Sequence, residues 1–279
     1  MTYNTILTVL TDKDAAGTLL DHAIAEASCH DAHLDVLCLG VDRTHVAYYY
    51  EGMSAAVVQD AIDRARIEAS GIETAAIAKL SNAGIRYGTD TEVSQLADLG
   101  RRVAEKARFS DLVVLPLPYG TDKGPELEPV VEAALFEGQA PVVVVPENAD
   151  LSTPPQRVMI AWNESSEALS AVRAALPMLR AAKSAQIVVI DPPAHGRNRS
   201  DPGGSLAQFL SRHGIQAEID VLSKTMPQVS DILKRQALET GADMIVMGAY
   251  GHSRFREAIL GGATRNMLTD SRVPVFMAH

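Results

Sequence analysis

The sequence is poor in cysteine and in long apolar runs, and each shortage excludes a class of protein. Among its 279 residues are two cysteines, Cys29 and Cys38, which are too few for the disulfide framework of a small secreted domain. The longest apolar runs, such as Val142–Val145, have the length of a strand and fall far short of the roughly 20 residues that a transmembrane helix needs. The amino terminus lacks the charged, apolar and small-residue order of a signal peptide. These absences predict a cytoplasmic protein without membrane contact.

Positive charge is scarce in the first half of the chain. Residues 1–150 contain 11 Lys and Arg against 24 Asp and Glu, whereas residues 151–279 contain 14 against 11, so the net charges are −13 and +3. The acidic half is unsuited to a nucleic-acid surface, because phosphates repel carboxylates. The second half suits a small anionic ligand better, although exposed, solvated side chains explain the same difference.

Several motifs of nucleotide and metal chemistry are missing. The sequence has no Gly-x4-Gly-Lys-Ser/Thr loop, and no Gly-x-Gly-x2-Gly follows the first strand of either half, which disfavours a Walker-type NTPase and a dinucleotide-dependent dehydrogenase. His22, His30 and His33 surround Cys29 without a zinc-ligand spacing. We therefore expect surface or loop histidines and no metal site, and no residue is proposed as catalytic.

What the sequence does contain is an internal repeat. Phe109–Pro116 parallels Gly241–Gly248, and Ala140–Val145 parallels Val273–Ala278. Continuous Val- and Ile-rich runs that alternate with helical periodicity indicate strands buried on both faces of a parallel sheet. The predicted fold class is therefore α/β, with two tandem doubly wound units, each a five-stranded parallel sheet flanked by helices. The predicted domains are residues 1–147 and 155–279, joined by a short polar linker that ends in a Pro-Pro pair.

The most informative segment follows the apolar run Met244–Met247, which has the composition of a buried strand. Gly248 and Gly251 are separated by two residues, and nine residues later Gly261 and Gly262 open a helix-compatible stretch. Glycine lets backbone N–H groups approach an anion closely, and the amino terminus of a helix attracts one. The spacing therefore predicts a phosphate-binding loop.

This pattern, Gly-x2-Gly-x9-Gly, resembles the nucleotide loop of the universal stress protein family, and Gly248, Gly251 and Gly261 match it in register. Gly262 stands where the ATP-binding branch of the family has Ser or Thr. The resemblance spans nearly the whole chain, but its specific motif lies only in residues 248–264. It implies a tandem, non-enzymatic stress-response regulator whose second unit binds an adenine nucleotide, ATP with magnesium on its phosphates.

The resemblance also implies which residues contact the nucleotide. In open parallel sheets, ligands bind outside the carboxyl ends of the strands, here strands one, two and four of the second unit. Asn163 takes the place of a usual adenosine-contacting Asp, Val189 offers backbone contacts to adenine, and Trp162 either stacks on adenine or packs at the strand end. In the loop and behind it, His252, Arg254 and Thr264 contact phosphates, or else serve as solvated loop residues and a helix cap. The full candidate set is Ala161, Trp162, Asn163, Val189, Met247, Gly248, Gly251, His252, Arg254, Gly261, Gly262, Ala263 and Thr264.

The first unit is predicted to be a degenerate copy. Its counterpart of the glycine loop, Pro116–Glu128, lacks the glycine pattern, contains three prolines that have no amide donor, and places Glu126 and Glu128 near the expected anion position. We therefore expect it to repel phosphate. It serves a structural role or binds a non-phosphorylated ligand, and Asp12 after its first strand is expected to cap a helix.

Two other functions stay open at this point. A nucleotide-independent protein interaction module of the same family would explain Gly262, Asn163 and Trp162, while a slow ATPase would use the same loop but lacks an evident general base. The expected partners are an adenine nucleotide and an unidentified protein, and neither nucleic acid nor a membrane. By resemblance, the edge strands Val142–Val145 and Val275–Ala278 pair and form a pseudo-dimer within one chain, and dimerisation of whole chains is left open.

Overall fold

The chain divides by its contacts into two compact units. The computed structural model describes residues 2–13, 17–43, 55–120, 123–149, 154–192, 201–249 and 262–279. Of these, Tyr3–Pro116 and residues 123–140 belong to the first unit, and residues 117–120 and 141–279, with the gaps given above, belong to the second. The domain boundaries at 147 and 155 stay a prediction.

The first unit is a parallel sheet with helices on it. Its strands have the order β3-β2-β1-β4, and every neighbouring pair is parallel. Leu7, Val9 and Leu10 of β1 are at most 2% exposed, and β4 is buried almost throughout, as continuous apolar runs predict. The elements are β1 (Thr5–Leu10), α1 (Thr18–His30), β2 (His33–Asp42), α2 (Ala55–Leu80), β3 (Arg86–Gln95), α3 (Leu99–Ala107), β4 (Leu112–Pro116) and α4 (Leu127–Glu132), which continues into a π-helical turn over Ala133–Glu137.

The second unit repeats this topology. Its strand order is β5-β10-β9-β6-β7-β8, with all neighbours parallel except β5 and β10. The elements are β5 (Val142–Val145), β6 (Arg157–Ala161), α5 (Ser166–Ala174), α6 (Leu176–Ala181), β7 (Ser184–Ile190), α7 (Gly204–Arg212), β8 (Ala217–Leu222), α8 (Val229–Thr240), β9 (Met244–Gly248), α9 (Gly262–Asp270) and β10 (Val275–Ala278). The predicted α/β fold class, with five strands from each half of the sequence, is confirmed.

The strand β5 pairs with β10 in the antiparallel direction. Val144 lies opposite Val275, and Val142 lies opposite Met277. This is the pairing of edge strands that the resemblance implies, and it is confirmed. By sequence β5 closes the first repeat, but by its contacts it belongs to the second unit.

One helix of the second unit differs from its prediction. Helical periodicity predicts a single helix over residues 166–182, whereas α5 ends at Ala174 and α6 begins at Leu176. Pro177 stands in the first turn of α6 and has no N–H group to donate to the preceding turn. The proline therefore divides the predicted helix in two.

Among the described residues, no helix is both long enough and apolar enough to cross a membrane.

A test of the helix-on-sheet packing lies at Gly40 in β2. A Cβ atom at this position would lie 1.9 Å from the carbonyl oxygen of Ala65 in α2, so the helix backbone rests directly on the strand. We expect Gly40→Ala to lower the free energy of unfolding by about 2–3 kcal/mol, because the helix must move away from the sheet. Urea unfolding of the full chain, followed by circular dichroism, measures the change.

The matched control is Gly71→Ala, since Gly71 lies in α2 and an added Cβ there would meet no atom within 4 Å. Alanine is preferred to glycine within a helix, so this variant should gain about 0.5–1 kcal/mol. Equal stability of the two variants would contradict the close contact at Gly40.

Candidate functional site

Three neighbouring strands of the second unit end at one edge of the sheet. Ala161 at the end of β6 lies opposite Met247 of β9 and Val188 of β7. The backbone N–H of Trp162 donates to the carbonyl of Val188 at 2.9 Å, which extends the ladder by one residue. The structure thus brings together Ala161, Trp162, Val189, Met247 and Gly248 of the candidate set. Val189 and Met247 are buried, and the other three are half-buried.

The amino end of α9 lies at the same edge. Because β9 and β10 are parallel neighbours, the helix between them must run back along the sheet, so it begins where β9 ends. Gly262 and Ala263 are exposed there, and Thr264 is buried. The first turn of α9 has no acidic residue among its described positions. Four further candidates, Gly251, His252, Arg254 and Gly261, lie outside the described residues.

The amino end of α5 lies at this edge as well. Ser165 caps the helix, with its Oγ accepting from the N–H of Ala168 at 3.1 Å. The Oδ1 atom of Asn163 accepts from the N–H of Ser165 at 3.2 Å. The polar residues after β6 thus start the helix. Since Oδ1 of Asn163 is engaged in the turn, a ligand would meet the Nδ2 donor of this side chain.

Helix packing explains why residue 248 is a glycine. A Cβ atom at Gly248 would lie 2.5 Å from the nitrogen of Ala168 and 2.7 Å from the carbonyl carbon of Glu167. The first turn of α5 therefore packs directly against the end of β9. Close helix packing requires this glycine whether or not a phosphate binds beside it.

A carboxylate that sequence reasoning missed lies at the amino end of α5. The pKa of Glu167 is lowered, first by its own backbone N–H, then by the hydroxyls of Ser165 and Ser166, and also by His279. Glu167 is thus an internal anion at one of the two helix amino ends of this edge. The available signal was an acidic residue in the first turn behind a serine cap.

A second feature missed from the sequence follows Thr264. The guanidinium of Arg265 lies 4.8 Å from the ring centroid of Tyr119, which by its contacts also belongs to the second unit. This cation–π contact holds a positive charge near the start of α9. No local sequence pattern joins two residues so far apart in the chain.

In the first unit, an ion pair occupies the corresponding edge. Arg43, directly after β2, donates from Nη2 to Oε1 of Glu126 at 2.7 Å and from Nη1 to Oε1 of Glu68 at 3.2 Å. It also donates to the carbonyl of Thr11, behind β1, at 3.4 Å. The Glu126 side chain is 4% exposed, and hydrogen bonding to it raises the pKa of Arg43.

The position of Glu126 supports the prediction that the first unit repels phosphate. Glu126 directly precedes α4, as the glycine pair precedes α9, so a carboxylate stands at the helix amino end where an anion would bind. The expectation for Asp12 was wrong: α1 begins at Thr18, with Gly17 in the cap position and no side-chain cap.

The histidines around Cys29 differ from expectation. His33 has a side chain that is 43% exposed, as expected, but His22 is 5% exposed and the side chain of His30 is 8% exposed. Residues 22 and 30 are eight positions apart and share the face of α1 that packs on the sheet. The expectation of surface histidines was therefore wrong for His22 and His30.

The packing explanation for Gly248 can be tested by Gly248→Ala. The new Cβ would displace α5 from β9, so we expect a loss of about 2–3 kcal/mol in the stability of the second unit. In the control Gly262→Ala, the Cβ meets no atom within 4 Å, and stability should not fall. Thermal unfolding of both variants measures the difference, and an unchanged Gly248→Ala would disprove the contact.

The ion pair of the first unit can be tested by Glu126→Gln. Removing one partner of a buried pair costs about 3–5 kcal/mol and of an exposed pair less than about 1 kcal/mol. Because Glu126 is buried and Arg43 is 39% exposed, we expect a loss of about 2 kcal/mol. Glu128→Gln, two residues away in the first turn of α4, is the control and should lower stability by no more than about 0.5 kcal/mol. The same small effect in both variants would show that the pair contributes no stability.

Comparison with known proteins finds a family match for the second half of the chain. Residues 155–279 match the sequence model of the universal stress protein family. A universal stress protein of Synechocystis is 27% identical over 97 residues, which are 32% of this chain and 33% of that protein. The chain therefore spans about a third of the length of the curated relative that it matches.

Solved structures extend the likeness in fold to both halves. A universal stress protein from Archaeoglobus fulgidus superposes with a TM-score of 0.73 at 17% identity, covering 99% of this chain and 98% of that one. A candidate universal stress protein from Pseudomonas aeruginosa gives a TM-score of 0.60 at 16% identity, covering 99% and 93%. Residues 155–279 therefore match the universal stress protein family in sequence, and both halves of the chain share the fold of these solved structures.

Proposed function

We propose that the protein is a non-enzymatic stress-response regulator whose second unit binds an adenine nucleotide, with the phosphates at the amino end of α9. The observation that carries this proposal is the difference between the two helix amino ends at the edge of β6 and β9. The end of α5 holds Glu167, whereas α9 exposes Gly262 and Ala263 and has no acidic residue in its described first turn. Backbone N–H groups at such an end favour phosphate.

The base would bind on the other side of the same edge. Trp162 is half-buried at the end of β6 with its backbone N–H bonded to Val188, so its ring is the part that can stack on adenine. Asn163 is exposed beside it and offers an Nδ2 donor. These side chains suit a purine better than a purely anionic ligand.

A regulatory role is supported by the chemistry of Glu167. Catalysis of phosphoryl transfer to water needs a group that orients or deprotonates the water. Glu167 is a carboxylate in the first turn of α5, which packs against Gly248, and the donors that lower its pKa make it a weak base. Binding without turnover is the simpler use of this edge.

A nucleotide-independent interaction module is the second candidate. It is favoured by the packing of α5 on Gly248, which explains one of the motif glycines without a ligand. It is also favoured by the negative charge of Glu167 in the first turn of α5, because a negative charge at this edge opposes a polyphosphate.

Two substitutions at Gly262 separate these functions. Gly262→Ser supplies a hydroxyl donor at the exposed start of α9, and we expect ATP to bind about 3- to 10-fold more tightly, since one typical hydrogen bond contributes about 1 kcal/mol net. Gly262→Asp places a carboxylate there, and we expect at least a tenfold loss of affinity. Calorimetric titration of the full chain with ATP, ADP and AMP in the presence of magnesium measures both.

Gly262→Asp should leave folding intact, because the site is open and an acidic residue in a first helical turn stabilises by about 0.5 kcal/mol. Gly71→Asp in α2 adds the same charge to the first unit and should bind ATP like the unmodified protein. Wild-type affinity in Gly262→Asp would place the phosphates elsewhere. No heat at millimolar nucleotide in any of these proteins would favour the interaction module.

A further inference from the structure

The helix α1 of the first unit carries a stripe of titratable side chains on its buried face. His22, Glu26 and His30 follow one another at intervals of four residues, so they lie above one another on the helix. That face packs against β1, β2 and β4. Glu26 is 6% exposed, which places a carboxyl group where apolar side chains are the rule.

The imidazole ring of His30 lies beside this carboxyl group. The Oε2 atom of Glu26 lies 3.6 Å from Nε2 of His30, a separation longer than a hydrogen bond. The His30 ring also meets Tyr3 edge-on, with 4.7 Å between ring centroids and 73° between ring planes. Glu26 and His30 therefore form a close pair that water scarcely reaches.

The surrounding charges do not neutralise Glu26. Tyr3, which precedes β1, and Asp111, which precedes β4, face the same region, and Cys29 and His22 lie on α1 itself. Asp111 is a second carboxylate, held by the N–H groups of Asn4 and Thr5 at 2.7 and 3.1 Å. Among the described residues, no Lys or Arg forms an ion pair with Glu26. Lys79, at the end of α2, pairs with Asp21 of α1 at 2.7 Å.

Burial shifts the proton affinities of the pair in opposite directions. It raises the pKa of Glu26 to about 7 and lowers the pKa of His30 below its ordinary value of 6.5. Both shifts favour the uncharged forms, because a charge in this region lacks water and a counter-ion. Burial also raises the pKa of Tyr3, so Tyr3 stays a neutral phenol throughout this pH range.

We propose that the Glu26–His30 pair makes the first unit an acid-responsive element, in which α1 is held on the sheet while Glu26 is protonated and loosens from it when the carboxylate is charged. The proposed nucleotide site lies in the second unit, whereas this element would give the first unit a regulatory function of its own. It requires no nucleotide, so its test is separate from that of the second unit.

The pH window follows from the two directions. The pKa of Glu26 is raised from 4.5, so its contribution to stability is complete below about pH 4.5 and is lost as the pH rises through about 7. The pKa of His30 is lowered, so its contribution is complete above 6.5 and is lost as the pH falls through its folded value. Below 6.5 the two oppose each other. Between about pH 6.5 and 8, Glu26 acts alone.

The test compares the full chain with its Glu26→Gln variant at matched pH, without nucleotide. Glutamine has the same shape and cannot ionise. We expect the amides of α1, residues 18–30, to exchange with deuterium at nearly the same rate in both proteins at pH 4.5, and at least tenfold faster in the wild type at pH 8. Comparison at one pH cancels the intrinsic base catalysis of exchange. Identical rates at both pH values would overturn the proposal.

Two further variants make the outcome specific. Glu105→Gln removes a carboxylate of α3 whose side chain is 51% exposed, and it should follow the wild type. His30→Phe keeps a ring against Tyr3 and removes the imidazole, and it should retain the loosening above pH 6.5. Loss of the response in His30→Phe would assign it to the histidine and overturn the role of Glu26.

A direct measurement covers the case in which Glu26→Gln fails to fold. The carboxyl carbon of Glu26 in the wild type can be followed by carbon-13 NMR against pH. A titration midpoint above pH 6 supports the proposal. A midpoint near 4.5 would show an ordinary, solvated carboxylate and would overturn it.

Discussion

Both units depend on helices that lie with their backbones directly on glycine positions of the strands. At Gly40 the carbonyl of Ala65 occupies the space that a side chain would fill, and at Gly248 the N–H of Ala168 does so. The contact at Gly248 sets the distance between the amino end of α5 and the sheet, and the contact at Gly40 sets the distance between the middle of α2 and the sheet. The chemistry available at the edge of the second unit follows from this spacing, because α5 brings Ser165 and Glu167 to the end of β9.

The two units use the same edge with different charges. In the first, Glu126 stands at the start of α4 and is held by Arg43, so the place of an anion is taken by a side chain of the protein. In the second unit, the negative charge is that of Glu167 on α5, and the start of α9 presents small residues. Two copies of one topology therefore differ in the charge that they place at this edge, with no change of fold.

Local pattern sufficed to predict most of the fold, and contacts between distant residues explain what was missed. The strands Met244–Gly248 and Val275–Ala278 follow from apolar runs. The pair of Arg43 and Glu126 joins positions 83 residues apart, which no periodicity reveals. Two of the wrong expectations have local causes. The single helix predicted over residues 166–182 is divided at Pro177, because proline has no N–H group to donate. His22 and His30 were expected at the surface, but their spacing places them on the packed face of α1.

The pairing of β5 with β10 has a consequence for how such a chain can be divided. A fragment that starts at residue 155 lacks Val142–Val145, and it would present the bare hydrogen-bonding edge of Val275–Ala278, an apolar strand, to solvent. Such edges recruit other chains. The outermost strand of the second unit thus comes from the sequence of the first repeat. A cut at the linker would expose an apolar strand edge that can pair with other chains, and it would not yield two independent proteins. The covalent tandem arrangement therefore keeps this apolar edge paired.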